Sequence, residues 1–337
     1  MKPTIWDDIV GHEWAVDLLR RAVQNDRVGH AYLFAGPEQI GKTLLARTFA
    51  QALSCTHEPA GRPCGQCRAC SLIAQDRHPD VQVVQPEISG RGKPTLKIEQ
   101  VRELQQALAL APYEAPYKIA ILKAFETATL GATNAFLKTL EEPPRHVKLF
   151  LTAQDADTLL ATIPSRCRTV ALRPVPTTKI TQALVDRELI SDEEEASTLA
   201  GLAAGRIGWA FQAAKNPDLI AQREAQINAL HKVLNGRRVE RFREAEILAR
   251  KPDELRALLQ TWLSWWRDAA LLSWHNETIN NVDQVAALRD AAGKWTRPAV
   301  FTAWQKTDQA IRYLDQNANT RLVLENLFLV YPSASVR

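Results

Sequence analysis

An α/β domain with a parallel sheet, followed by helices throughout, is the fold class this sequence predicts. Three observations carry that expectation. Short apolar runs alternate with helical patterns up to about residue 172, as parallel strands joined through helices require. The stretch Gly36-Pro-Glu-Gln-Ile-Gly-Lys42-Thr43 fits G-x-x-x-x-G-K-[ST] and stands between such a run and such a helix. From about residue 215 onward the apolar periodicity is helical only.

A chain of 337 residues is too long for one ordinary core and implies two or three domains. Its 46% hydrophobic and 24% charged residues are ordinary for a soluble globular protein. A net charge of +4 permits contact with nucleic acid but does not demand it. No apolar run approaches a membrane span, and Met1-Lys-Pro-Thr-Ile-Trp-Asp-Asp carries no secretory pattern. A cytoplasmic protein without membrane contact is expected. There cysteines are more often metal ligands or catalysts than disulfides.

Residues 4 to 30 read as a short lead and one helix, with Trp14, Ala15, Leu18, Leu19 and Val23 sharing a face. His30 reads as a capping or packing residue in preference to an ion ligand. Tyr32-Leu-Phe-Ala35 is the first core strand, and Leu44, Leu45, Ala46, Phe49, Ala52 and Leu53 then follow helical spacing. Between them, Gly36 and Gly41 let backbone N–H groups curl around an anion, and the helix start adds partial positive charge. Lys42 would reach the outer phosphates of a nucleotide, and the Thr43 hydroxyl would hold magnesium.

Cys55, Cys64, Cys67 and Cys70 come next, the last three as C-x-x-C-x-x-C. Four thiolates close a tetrahedral zinc shell and leave no position for water, so the expected metal is structural. Redox C-x-x-C chemistry and free thiols are the alternatives. Cys55 ends the phosphate-loop helix, so the metal would staple an excursion of the chain to the core.

His78 to Val84 reads as a second strand, residues 86 to 96 as a polar loop, and Lys97 to Leu108 as a helix. Tyr117 to Leu122 is a further buried strand. In a nucleotide-hydrolysing protein it should end in Asp then Glu, one to position magnesium and one to activate water. Lys123 and Ala124 stand there instead, and the nearest carboxylate, Glu126, falls two places later. A lysine at the metal position repels magnesium, and Glu126 would substitute only through an altered turn. Asn134 to Glu142 is a helix stopped by Pro143-Pro144, His146 to Thr152 a strand, and Val170 to Leu172 a last short strand. Before it lies Ser165-Arg166-Cys167, where an arginine on its own reads as a surface charge or local salt bridge.

Several of these pieces carry a resemblance. They are His30-Ala-Tyr-Leu-Phe-Ala-Gly-Pro, the four-cysteine spacing, His78-Pro-Asp80 and Lys97-Ile-Glu-Gln-Val-Arg-Glu-Leu. To them are added Asn134-Ala-Phe-Leu-Lys-Thr-Leu-Glu-Glu-Pro-Pro and Ser165-Arg-Cys. The chain resembles the delta-prime family of bacterial DNA polymerase III clamp-loader subunits, within the AAA+ superfamily. A weaker echo runs through Asn317-Ala-Asn-Thr-Arg-Leu-Val-Leu-Glu325-Asn-Leu. The resemblance implies that Arg166 is a finger reaching ATP on a neighbouring subunit, a task suited to a planar, permanent charge. It implies tau/gamma and delta subunits as partners in a hetero-pentamer that opens a sliding clamp and places it on primed DNA. The family's motor subunits keep Asp-Glu where this chain has Lys123-Ala124. They also keep a basic residue in a lid turn that here seats Arg206 and Trp209. ATP and magnesium would therefore bind without being turned over. An active tau/gamma-type motor is the alternative.

The expected domains are residues 1–173, an AAA+ P-loop domain with a zinc module at 55–70; 174–214, a helical lid after Pro174-Val-Pro176; and 215–337, an all-α collar. Lid and collar come from the resemblance. The lid would hold helices at Ile180–Leu189, Glu193–Leu202 and Ile207–Ala214. Trp262, Trp265 and Trp266 share one helix face, read as bundle core or subunit joint in preference to a stacking platform for single-stranded nucleic acid. Arg237-Arg-Val-Glu-Arg-Phe-Arg reads as a solvated basic face, with DNA contact the minority option.

Overall fold

The structure is a computed structural model that describes residues 5–88, 94–316 and 318–333. Part of the loop expected over 86–96 lies outside those residues, as does Asn317 at the start of the C-terminal echo. The chain divides into two compact units, one running through Ile180 and including Gly205–Gly208, the other formed by Thr181–Ala204 and Trp209 onward.

The first unit is a five-stranded parallel sheet with helices on both faces. Its strands are β1 (Ala31–Ala35), β2 (Val81–Val84), β3 (Lys118–Leu122), β4 (Val147–Ala153) and β5 (Arg168–Ala171). They lie in the order β2-β3-β4-β1-β5. Each overlaps an expected strand, though β2 begins only at Val81, after His78-Pro-Asp80, and β5 starts two residues before Val170 and ends at Ala171. β1, β3 and β4 are buried along their whole length, as strands covered on both faces must be. Its helices are α1 (Glu13–Gln24), α2 (Lys42–Ser54), α3 (Arg68–Ala74), α4 (Ile98–Ala109), α5 (Leu130–Glu141) and the start of α6 (Thr177–Asp186).

Alternate strand residues face opposite sides of the sheet. On one side Leu33, Leu122, Leu149 and Leu151 meet Leu104 of α4 and Phe136 of α5. On the other, Tyr32 and Phe150 meet Phe49 of α2, with ring centroids 5.0 and 4.9 Å from Phe49 respectively. The expected face of α1 needs correction. Ala15, Val16 and Leu19 are its buried residues, while Trp14 and Leu18 are about half exposed. Ala15 and Leu19 stay on the buried stripe, which is turned by about 50°, half a residue step of a helix.

The second unit is helical. After α6 come α7 (Glu193–Leu202), α8 (Ile207–Lys215, whose first turn belongs to the first unit), α9 (Asp218–Asn235) and α10 (Arg238–Ala249). Then follow α11 (Pro252–Ser273), α12 (Val285–Lys294), α13 (Arg297–Asp315) and α14 (Thr320–Val330). The long α11 packs on α9, α12 and α13. Trp262, Trp265 and Trp266 are at most 1% exposed and form the centre of this core, so they offer no stacking platform. Trp262 also donates from Nε1 to Gln226 O at 2.8 Å.

The basic run at 237–243 is not uniformly solvated. Arg241 is buried, and its guanidinium donates to the carbonyls of Phe328 and Tyr331 at 2.7 Å and of Pro332 at 2.9 Å. Those carbonyls end α14, where a cation offsets the helix dipole and satisfies orphaned acceptors. A periodicity count reads arginine as surface and misses this. Asp268 is likewise buried, accepting from Asn280 N, Asn281 N and Asn281 Nδ2 at 2.7–2.8 Å.

Candidate nucleotide site and four-thiol centre

β1 sits inside the sheet, and its onward connection leads to one side while that of β4 leads to the other. The crevice beyond the carboxyl ends of β1 and β4 is therefore a switch point, where open α/β sheets bind ligands. The loop from Gly36 to Thr43 lies there. Gly36 N donates to Ala153 O and Gln154 O at 3.1 Å, tying the loop to the end of β4. Gly41 precedes α2 at φ +108°, a conformation that other side chains rarely adopt. Lys42 opens α2 with Thr43 beside it in the first turn. The Lys42 ammonium donates to Gly36 O at 2.5 Å and Pro37 O at 2.6 Å, so its charge lies within the curl of the loop. Burial lowers its pKa, against the pull of Glu126 and Glu38.

β3 ends at Leu122, so Lys123 and Ala124 occupy the next two positions. Lys123 Nζ donates to Gln85 Oε1 at 3.4 Å, and Ala124 N to Thr152 Oγ1 at 3.0 Å. Ala124 takes a left-handed φ of +47°, which turns the chain into a single helical turn, Phe125–Thr127. That turn carries Glu126 into the Coulombic field of Lys42. Burial raises the Glu126 pKa, against its own and Gln154's N–H groups and Lys42, and its Oε2 has no hydrogen-bond partner. With Thr133, Thr158 and Ile163, Glu126 lines a cavity of about 210 Å³. The turn at Ala124 thus leaves Glu126 within the electrostatic reach of Lys42.

Arg166 stands at the other edge of the sheet. Tyr32 at the start of β1 pairs in register with Arg168, and Ala35 at its end with Ala171. Arg166 therefore lies before the strands begin, about 16 Å of strand from the loop that follows Ala35. Its guanidinium pairs with Glu141 at 2.8 Å and donates to Thr162 O at 3.0 Å. The Asn134–Pro144 block and Ser165-Arg-Cys, far apart in sequence, are joined by this pair. The Arg166 side chain is 34% exposed and Glu141 49%. An ion pair so placed is worth about 0.2–1 kcal/mol, enough to orient the arginine without locking it.

α2 returns the chain to this second edge, where Cys55 opens the cysteine module. The four Sγ atoms of Cys55, Cys64, Cys67 and Cys70 lie within 4.8 Å of one another, and Cys55 and Cys67 are 3.9 Å apart. Thiolates around zinc at about 2.3 Å sit about 3.8 Å apart, so the donor set fits that ion. Burial raises the Cys55 and Cys70 pKa values. For Cys67 burial is outweighed by hydrogen bonds from the Cys70 and Thr56 N–H groups and neighbouring thiols, bringing it to about 6. Outside the four thiols, Gln51 Nε2 bonds Cys70 O at 2.8 Å and Trp6 Nε1 bonds Arg62 O at 2.9 Å. These brace the module against α2 and the amino-terminal turn.

Asp80, one of the matched residues, has a structural post that sequence reasoning left unassigned. Its buried carboxylate accepts from Tyr113, Glu114 and Ala115 N–H at 2.7, 2.8 and 2.9 Å and stands 3.5 Å from Lys118 Nζ. Burial pushes its pKa up, but the three N–H donors and Lys118 outweigh this and hold it below the usual carboxylate range.

Sheet, loop and helix order define a P-loop domain of the parallel α/β kind. Comparison with known proteins narrows that class. Residues 11–176 match the model of the family described as DNA polymerase III, delta subunit. DNA polymerase III subunit tau of Bacillus subtilis is 32% identical over 206 residues, covering 60% of this chain and 36% of its own. Subunit tau of Escherichia coli is 34% identical over 206 residues, 60% of this chain and 31% of its own. Subunit gamma of Buchnera aphidicola is 32% identical over 210 residues, 61% of this chain and 56% of its own. Against the first of these relatives the chain spans about a third of their length. A solved gamma subunit-related protein from Thermotoga maritima covers 93% of this chain and 97% of its own, at 19% identity and a TM-score of 0.43. Over residues 11–176 the chain is thus similar to a DNA polymerase III subunit family, and the curated relatives it matches are tau and gamma subunits of the same polymerase. Among the described residues no helix is long and apolar enough to cross a membrane.

Proposed function

We propose that this chain is a clamp-loader subunit of the delta-prime kind, a stator that binds nucleotide without hydrolysing it. In the cytoplasm it would sit with tau/gamma and delta subunits in a hetero-pentamer. That assembly would use ATP to open a sliding clamp and place it on primed DNA. Gly36, Gly41, Lys42 and Thr43 would hold ATP and magnesium, and Arg166 would be lent to the site of a neighbour. Zinc held by Cys55, Cys64, Cys67 and Cys70 would be structural, since four thiolates fill its shell. Residues 174–214 would act as lid and 215–337 as collar.

The observation that carries this reading is Lys123-Ala124 directly after β3, where magnesium and the attacking water need carboxylates. The position of Arg166 agrees with it. An arginine a strand length from its own loop is badly placed for that loop's phosphate, so a phosphate it served would be another chain's. One observation favours the second reading, an active motor of the tau/gamma kind. Glu126 keeps an unpartnered carboxylate oxygen near Lys42. A turnover assay separates the two. The stator reading expects ATP binding that Lys42→Ala weakens about a hundredfold or more, with no magnesium-dependent hydrolysis by the purified chain. Hydrolysis lost in both Lys42→Ala and Glu126→Gln would establish the motor instead.

A further inference from the structure

We propose that His12 and Gly208 are positioning residues of the phosphate loop, pinning two consecutive carbonyls so that the N–H groups behind them face the anion. His12 caps the start of α1 and is buried, with Nε2 3.0 Å from Ile40 O. A carbonyl can only accept, so Nε2 carries the hydrogen. Burial lowers the His12 pKa, which favours the neutral ring with its single N–H in that place. From another direction Gly208 N, in the first turn of α8, donates to Gln39 O at 2.8 Å.

In a trans peptide the C=O and the following N–H point opposite ways. Drawing Gln39 O and Ile40 O into the protein body turns the Ile40 and Gly41 N–H groups outward. Among the described residues neither of these N–H groups is engaged by a backbone carbonyl. Two successive amides so turned make an anion-holding concavity. The first half of the loop is arranged differently, for its carbonyls Gly36 O and Pro37 O face Lys42. Gly208 serves because it has no side chain. A Cβ there would lie 2.7 Å from Gln39 O and force the two segments apart. Gly208 is thus a residue of this turn that meets the loop.

The inference rests on the nucleotide-binding reading above, and its test separates the two. ATP with magnesium is titrated calorimetrically into the whole chain, its Lys42→Ala form, and the His12→Leu, His12→Gln and Gly208→Ala variants. Melting temperature and zinc content are followed alongside. Loss of one pin should weaken ATP about three- to tenfold, the range of a single net hydrogen bond. His12→Gln, which keeps an N–H donor, should recover most of what His12→Leu loses. Wild-type affinity in both His12→Leu and Gly208→Ala would overturn the proposal alone. So would equal weakening in His12→Leu and His12→Gln, which marks a packing role. If His12→Leu does not fold, Gly208→Ala decides by the same criterion. If neither the wild-type chain nor Lys42→Ala binds ATP, the nucleotide-binding reading falls and this proposal with it.

Discussion

The two edges of the central sheet are built on different principles. At the carboxyl edge of β1 the loop is held mainly through main-chain groups: the Gly36 and Pro37 carbonyls accept from the Lys42 ammonium, and Gly36 N donates to the end of β4. At the opposite edge the working groups are side chains: Arg166 on Glu141, Asp80 under three N–H donors, and the four thiols. Main-chain donors are fixed by backbone conformation and tolerate sequence change outside the glycines. Side-chain sites depend on partners brought from distant parts of the chain. The first edge is thus legible as a short motif, and the second only as scattered residues.

That contrast can be broken at several points. The largest effect belongs to Arg166→Ala in a reconstituted loader. The site that Arg166 completes should lose about a thousandfold or more in rate, while ATP binding by this chain stays unchanged. A steady-state ATPase assay beside a binding titration reads both, and unaltered hydrolysis would remove Arg166 from the mechanism. Next comes the thiol centre. Cys67→Ser should release zinc and cost about 3 kcal/mol or more of stability, on the scale of losing a structural cross-link. Because the module stands at the arginine edge, ATP affinity should hold. Atomic absorption and thermal melting of the variant check this, and an unchanged zinc content would refute the four-ligand assignment.

Asp80 sharpens the same comparison at a smaller scale. Its folded pKa lies below the unfolded value of about 3.9. The stabilisation it supplies is therefore fully present above that value and disappears as pH falls through the lower, folded pKa. Asp80→Asn should cost about 2–3 kcal/mol near neutral pH, the worth of a buried charged hydrogen-bond set. It should also flatten the acid limb of the stability curve. Urea melts carried from about pH 7 down to about pH 2, below the usual carboxylate pKa, would show an unflattened limb if Asp80 plays no such part.

Much of the second unit's core was legible as well, because Trp262, Trp265 and Trp266 repeat at helical spacing beside leucines. Arg241 was not, since no periodic rule reports that a cation in a basic run will turn inward to end another helix. The same holds for the face of α1, where the apolar residues are present but which stripe is covered depends on what packs there.

The sequence by itself determined the five strands, the glycine-lysine loop between strand and helix, the clustered cysteines and the missing acid pair. Each is written in residues close along the chain, where side-chain period and backbone chemistry act locally. Only the tertiary structure decided that His12 and Gly208 hold the loop's carbonyls, that Arg166 pairs with Glu141 a strand length from the loop, and that Glu126 returns toward Lys42. Those arrangements join groups tens to well over a hundred positions apart, and which ones meet is set by the packing of the whole sheet rather than by any local pattern.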